Sequence, residues 1–214
     1  MPSLRQILAA HAPLLLIDAA SGRVQAGWLE AGGSRWAEDA DEAGTAVFRC
    51  LEKLGADPGS AGAFLFCEGP GSVLGLRVAA IALRVWNVES ARPVFAYRSL
   101  ALVARASAAT DAGVIADARR DHWHHCTRDG VLLRLPAAGL TGTLLMPEGF
   151  RHWAPLPPGV ARVPYDVSAM LLCAGDDDLF RETRDPDAFL HSEPAYAAWT
   201  PRIHEAPEPA PSRP

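Results

Sequence analysis

The sequence has 214 residues, which is enough for one large domain or two small ones around a sizeable core. Its content of 49% hydrophobic and 21% charged residues is typical of globular proteins and excludes a wholly disordered chain. The 25 acidic residues outnumber the 20 basic ones and leave a formal net charge of -5. This balance argues against a protein that grips a nucleic-acid backbone on its own.

Cysteine usage and hydropathy predict a soluble cytoplasmic protein. The cysteines lie far apart and form no C-x-x-C pair, which favours reduced thiols; they are Cys50, Cys67, Cys126 and Cys173. The sequence lacks the run of about 18 apolar residues that a membrane helix needs. We interpret residues 1–13 as an N-terminal extension and the Pro-rich residues 205–214 as a disordered tail.

Turn residues and apolar patterns divide the first half of the chain into strands and helices. Strands are predicted at 14–17, 24–29, 34–37, 63–67 and 92–96. Helices are predicted from a cap at Asp39 to residue 54, over 73–86 and over 99–109. Glu42 follows Asp39 at capping-box spacing.

The order of elements starts again at Gly113. Asp18-Ala19 closes the first strand of the chain, and Asp117-Ala118 closes a second apolar run. A turn, an alternating strand, another turn and a third strand follow in both places. This repeated β-β-β-α order predicts a duplicated α/β protein with lobes at 14–110 and 111–204. Near the end we predict a strand at 169–173 and a short helix at 185–191.

The turn Gly69-Pro70-Gly71-Ser72 lies between a predicted strand and a predicted helix. Glycines permit a tight turn, and a helix N-terminus offers free N–H groups to an anion. However, a dinucleotide fingerprint needs Gly where Leu74 stands, and a P-loop needs a Lys that is absent. A structural turn with Ser72 as helix cap is therefore preferred over phosphate binding.

The helix after this turn lacks a polar half. Between residues 73 and 86 nearly every side chain is apolar or small, and Arg77 and Arg84 are its only charges. Such a helix is either enclosed in the core or docked against another chain. The residues alone leave both alternatives open.

Candidate metal and catalytic groups are few. On a strand, His122, His124 and Cys126 would share one face while His125 points away, and a surface or dimer-contact strand is preferred over a zinc site. Asp176-Asp177-Asp178 is interpreted as a solvated turn. The sequence contains neither G-x-S-x-G nor H-E-x-x-H, so we predict no catalytic residue and no metal site.

Several stretches resemble the TsaB family, the bacterial dimerisation subunit for synthesis of threonylcarbamoyladenosine in tRNA. The segment with Gly69-Pro70-Gly71-Ser72 and Gly75-Leu76-Arg77 resembles the family's GPGSFTGLR motif. Four further stretches resemble family segments in the same order, at 14–21, 92–104, 114–120 and 192–196. The likeness extends over residues 14–204.

The resemblance implies an actin/Hsp70-like (ASKHA) α/β fold of two ribonuclease-H-like lobes, with mixed sheets flanked by helices. Family members are non-catalytic and pair through N-lobe helices with a TsaD-type subunit, which holds ATP, metal and the transfer site. The complex, which also includes a TsaE-type ATPase, modifies adenosine 37 of tRNA by N6-threonylcarbamoylation.

For this chain the resemblance implies a scaffold without a cofactor of its own, which contacts tRNA only through the complex. A homodimer through the same helices is an alternative. The implied partner interface consists of apolar residues and one arginine: Val47, Leu51, Leu54, Leu74, Arg77, Val78, Ile81, Ala82 and Val85.

The chain departs from the family pattern around the nucleotide site of the fold. Ala19-Ala20 replaces the usual Thr-Ser, Val73-Leu74 replaces Phe-Thr, and Glu68 stands where Arg is common. The remaining candidates for a vestigial nucleotide site are Asp18, Gly69, Gly71 and Ser72. An actin-like ATPase or sugar kinase that uses them is one alternative function. A metallopeptidase of the wider glycoprotease family is another, opposed by the missing His pair.

Overall fold

Two sheets and five helices form the part of the chain that the computed structural model describes, residues 1–189. The helices are α1 (Leu4–His11), α2 (Ala43–Leu54), α3 (Val73–Glu89), α4 (Ser99–Ala106) and α5 (Val167–Ala174). The strands are β1 (Leu14–Asp18), β2 (Val24–Glu30), β3 (Gly33–Asp39), β4 (Ala63–Gly69), β5 (Val94–Arg98), β6 (Gly113–Asp117), β7 (His122–Cys126), β8 (Leu132–Pro136), β9 (Leu144–Pro147), β10 (Ala161–Val163) and β11 (Arg181–Thr183). Within residues 1–189 no helix is both long and apolar enough to cross a membrane.

The first sheet has the order β11-β5-β4-β1-β2-β3. Its central strands β1 and β4 are parallel and buried along their whole length, as expected where helices cover both faces of a sheet. Leu15 and Ile17 point to the core under α2 and α3, whereas Leu14 and Leu16 point to the core that both lobes share. The alternation of side chains along β1 thus supplies two cores from one strand.

The second sheet repeats the first. Its order is β10-β9-β6-β7-β8, so β6 takes the place of β1, with β7 antiparallel on one side and β9 parallel on the other. This confirms the predicted duplication of the strands. The helix predicted after the third strand is wrong for the second half, where a single 3-10 turn at Ala137–Gly139 stands in place of α2.

Two segments at the ends of the described chain lie outside the simple two-lobe division. Residues 181–183, which the prediction placed in the C-terminal lobe, form β11 and pair with β5 of the first sheet. The N-terminal extension contains α1, which opens with a capping box of Ser3 and Gln6. Ile7 of α1 is buried in the shared core.

Three predicted elements are wrong in type or start. Residues 169–173 belong to α5, whose buried residues Val167, Met170, Leu171 and Ala174 have helical spacing. No helix is present over 185–189, the described part of the predicted 185–191 helix. α2 is capped by Glu42, because Asp39 is still part of β3 and binds Lys53.

Candidate functional site

A cleft of about 810 Å³ opens between the two lobes. Its lining comes from the turn after β1, the residues that lead into α2, the N-terminus of α3 and the turn after β6. Residues of β7 and β8, the loop that follows β9, and Phe189 complete it. In this position the ends of the two equivalent strands β1 and β6 face each other. The cleft is therefore the first place to look for the predicted nucleotide-site residues.

Asp18 does not line this cleft, because its side chain is fully buried. One carboxylate oxygen accepts the backbone N–H of Ala20 at 2.9 Å, and the other accepts the hydroxyls of Tyr97 at 2.5 Å and Tyr165 at 2.7 Å. Burial raises the pKa of Asp18 above its ordinary value, and these hydrogen bonds offset the shift only in part. The structure therefore places Asp18, one of the candidates for a vestigial nucleotide site, in the core and away from the cleft.

The partners of Asp18 join the two lobes. Tyr97 comes from β5, whereas Tyr165 lies 147 residues away from Asp18 in the second lobe. Beside it, the amide of Gln25 donates to the Tyr165 carbonyl at 3.0 Å and accepts the N–H of Val167 at 2.9 Å. Nothing in the sequence pattern singles out Tyr97, Tyr165 or Gln25, since their pairing depends on how the lobes pack.

The Gly69–Ser72 turn packs on the end of β1. The Ser72 N–H donates to the Ala20 carbonyl at 2.8 Å, and the Ser72 side chain caps α3 by accepting the N–H of Gly75 at 3.4 Å. A Cβ at Gly71 would collide with the Ala20 carbonyl oxygen, so glycine is needed for this close approach. These contacts favour the structural interpretation of the turn. Gly71 and Ser72 line the cleft, whereas Gly69 does not.

Glu68, which precedes the turn, is buried and paired with two arginines. Its carboxylate accepts from Arg98 at 3.3 Å and from Arg181 of β11 at 2.7 Å. The Glu68 carbonyl also accepts the N–H of Phe189. The acidic residue at this position therefore fastens the C-terminal part of the described chain to the first sheet.

Asp117, at the end of β6, links two segments of the cleft wall in the second lobe, the turn after β6 and the loop after β9. Burial opposes ionisation of its carboxyl, but backbone N–H groups of Trp153, Arg119 and Ala154 outweigh burial and lower its pKa. The next residues Arg119, Arg120 and Asp121 have left-handed φ angles of 64°, 53° and 58°. Such a conformation costs about 1–2 kcal/mol per non-glycine residue, so this turn is strained.

Five arginines line the cleft. Four come from the second lobe and one from the residue before β2: Arg119, Arg120, Arg134, Arg151 and Arg23. The Arg119 guanidinium lies over the ring of Trp153, and Arg134 donates to the carbonyls of Ala118 and Arg119. Arg119 and Arg120 follow the Asp117-Ala118 pair in the predicted turn, whereas no pattern in the sequence singles out Arg134 and Arg151, which are isolated in sequence.

A second candidate surface is the outer side of α3. Leu74, Ile81, Val85 and Val88 are 66%, 57%, 61% and 87% exposed, and Val78 and Ala82 beside them are half-buried. Their spacing of three and four residues places them on one stripe, together with the exposed Arg77. We call Leu74, Val78, Ile81, Val85 and Val88 the α3 stripe.

The structure corrects the α2 part of the predicted interface. Val47, Leu51 and Leu54 are buried in the core beneath α2 and α3 and are unavailable to a partner. The exposed apolar residue of α2 is Phe48, which is absent from the predicted interface although it follows Val47. α2 packs against α3, so Phe48 extends the apolar surface of the same lobe.

The His122–Cys126 strand is β7, which lies between β6 and the edge strand β8 of the second sheet. Its Trp123 and Cys126 side chains are buried, and His122, His124 and His125 are half-buried. Within residues 1–189, no group of three or more His, Cys, Asp or Glu side chains has an arrangement that could hold a metal ion. His191, His204 and the 192–196 segment lie outside the described residues.

Comparison with solved structures identifies the fold. YeaZ (TsaB) from Pseudomonas aeruginosa superposes with a TM-score of 0.54 at 20% identity, over 76% of this chain and 90% of YeaZ. A crystal structure titled as an uncharacterized protein with similarity to peptidase YEAZ from Pseudomonas aeruginosa gives a TM-score of 0.55 at 19% identity, over 76% and 89%. No family model and no curated protein matches the sequence. The predicted α/β ASKHA-like fold and the resemblance to YeaZ are thus confirmed at the level of the fold.

Proposed function

We propose that this chain is a TsaB-type scaffold subunit that has no catalytic activity of its own. It would pair through the α3 stripe with a TsaD-type enzyme and support N6-threonylcarbamoylation of adenosine 37 of tRNA. The observation that carries this proposal is the exposed apolar stripe on a helix whose other faces are already packed in a YeaZ-like fold.

The α3 stripe has the composition of a docking surface. Apolar side chains that leave water on association contribute about 1.5–3 kcal/mol each when fully buried, and Leu74, Ile81 and Val85 are all more than half exposed in the single chain. Arg84 at its border is paired with Asp185 at 2.8 Å. Arg77 has no ion pair within residues 1–189, so a carboxylate of the partner is expected to face it.

The surroundings of Asp18 support a scaffold over the ATPase or sugar-kinase alternative. A carboxylate that binds metal and phosphate must face the cleft, but that of Asp18 is sealed by Tyr97, Tyr165 and Ala20. Ala19 and Ala20 add no hydroxyl ligands. On this proposal ATP and metal belong to the TsaD-type partner, with a TsaE-type ATPase and tRNA joining the complex.

Light scattering behind a sizing column tests the pairing. The chain is run alone, the TsaD-type subunit of the same organism is run alone, and then the two are mixed. We expect the mixture to give a species of the summed mass. Separate elution at micromolar concentration would refute the proposal, and a dimer of the chain that persists in the mixture would favour the homodimer alternative.

A further inference from the structure

We propose that the cleft between the lobes binds a small anion that carries two or more phosphate or carboxylate groups, held by Arg120, Arg134 and Arg151. This site goes beyond the scaffold function and does not depend on it. The cleft has room for such a ligand, with a volume of about 810 Å³. Arginine is suited to it because the guanidinium group makes two parallel hydrogen bonds to a phosphate or carboxylate.

The acidic residues of the cleft are already engaged by the chain itself. Asp117 accepts three backbone N–H groups, Asp41 pairs with Arg49 at 2.6 Å, and Glu42 accepts the N–H of Gly44 to cap α2. None of these carboxylates forms an ion pair with an arginine of the second lobe in the described part of the chain.

Three arginines of the second lobe that line the cleft have no ion-pair partner in the described part of the chain. Within residues 1–189, Arg120, Arg134 and Arg151 have no carboxylate within ion-pair distance. The Nη2 group of half-buried Arg134 donates to two carbonyls, at 3.2 Å and 3.4 Å, which fixes its guanidinium at the wall of the cleft. Although the whole chain has a net charge of -5, these arginines create a local positive potential that favours binding of an anion.

The surrounding wall holds these arginines in place. The loop that carries Arg151 is tied to β6, because Asp117 accepts the N–H of Trp153 at 2.6 Å and of Ala154 at 3.1 Å. Arg119 stacks on the Trp153 ring from the neighbouring turn. That turn has three consecutive left-handed residues, Arg119 to Asp121, so strained backbone presents Arg120 beside the cleft.

The contacts differ from those that a nucleotide of the ATPase alternative would need. That alternative depends on Asp18, which is buried, and on the Gly69–Ser72 turn, which packs on Ala20. The positive groups lie instead on the second lobe. We therefore expect the charged groups of the ligand to provide the affinity and an adenosine moiety to add none.

Titration calorimetry on the chain alone tests this site, with tripolyphosphate and citrate as separate probes. We expect at least one probe to bind, with affinity that falls as salt is added. The two probes distinguish the charged groups that the site prefers. Binding of tripolyphosphate alone indicates a phosphate ligand, and binding of citrate alone indicates a carboxylate ligand. Failure of both probes to bind at millimolar concentration would overturn the proposal.

A matched pair of variants locates the binding. The double variant Arg120→Gln and Arg151→Gln should weaken binding of the active probe about tenfold or more, because charge-assisted hydrogen bonds are lost. The control, Arg128→Gln and Arg184→Gln, removes the same charge at exposed positions outside the cleft and should bind like the original chain. Equal affinity of both variants would refute the site, as would ATP binding more than tenfold tighter than tripolyphosphate. Since no partner is present, either outcome leaves the pairing test unaffected.

Discussion

The two lobes share one arrangement of five strands but differ in what connects the strands. In the first lobe β3 leads into α2 and β4 into α3, and these helices cover one face of the sheet. In the second lobe a 3-10 turn at Ala137–Gly139 and a loop at 148–160 take those places. The first lobe therefore presents an apolar helix surface, whereas the second presents arginines from a strained turn, from strand β8 and from a loop. The same strand arrangement thus carries two different surfaces, because the segments that connect its strands differ between the lobes.

The largest expected effect concerns the apolar surface of the first lobe. Ile81→Arg places a charge in the centre of the α3 stripe and should weaken pairing with the TsaD-type subunit by about 3 kcal/mol or more, since that charge would be buried without a partner. Calorimetry of the mixture measures this loss. The control is Leu172→Arg, which changes an apolar residue on α5 of the second lobe that is even more exposed than Ile81, and it should leave pairing intact. Normal pairing of Ile81→Arg would show that the wrong surface has been assigned.

The equivalent carboxylates Asp18 and Asp117 should differ in their contribution to stability. Asp18→Ala leaves two tyrosine hydroxyls and one backbone N–H without an acceptor in the core, so we expect a loss of about 3 kcal/mol in the free energy of unfolding. Asp117→Ala affects three backbone groups near the surface, where water can replace the carboxylate, and should cost about 1 kcal/mol. Urea unfolding of both variants gives the comparison, and equal losses would contradict it.

Glu68 tests how firmly the C-terminal part of the described chain is attached to the first lobe. Glu68→Gln keeps the shape but removes the charge that pairs with Arg98 and Arg181. Because both arginines are partly exposed, we expect a loss of only about 1 kcal/mol in the free energy of unfolding. Faster proteolysis near β11 should accompany it. An unchanged cleavage pattern and unchanged stability would show that β11 is held by its backbone pairing with β5 alone.

The smallest expected effect is the pH dependence of the same two carboxylates. The raised pKa of Asp18 means that folding favours its protonated form. Its contribution to stability is fully present below the ordinary pKa of 3.8 and is lost as pH rises from there through the folded-state pKa. The lowered pKa of Asp117 means that its contribution is present above 3.8 and is lost as pH falls through the folded-state value. Unfolding of Asp18→Asn and Asp117→Asn across pH 3 to 7 should therefore give stability differences from the original chain with opposite slopes. Slopes of the same sign would be inconsistent with these environments.

The strand order of both lobes could be predicted because turns and short apolar runs mark it locally. Asp18-Ala19 and Asp117-Ala118 close equivalent strands, and the residues after them form the expected antiparallel pairs. Short apolar runs are less informative. Residues 169–173 fit a strand and a helix equally well in isolation, and only packing between α4 and α5 decides for the helix.

The candidate surfaces could be predicted only in part. α3 is apolar on all sides, so its sequence does not distinguish a helix enclosed in the core from a docked helix, and it does not show which face is left open. For α2 the helical spacing of Val47, Leu51 and Leu54 was assigned to a partner, although the same spacing serves the chain's own core. The contacts of Asp18 with Tyr97 and Tyr165 connect distant parts of the chain and leave no local pattern.

The most direct test of the scaffold account is a reconstituted modification assay. The TsaD-type enzyme, its TsaE-type ATPase, tRNA and an activated threonylcarbamoyl donor are combined with no added chain, the original chain, Ile81→Arg or Leu172→Arg. We predict that N6-threonylcarbamoyladenosine forms with the original chain and Leu172→Arg and falls to the level without the chain for Ile81→Arg. Equal product formation with and without the chain would contradict the central claim.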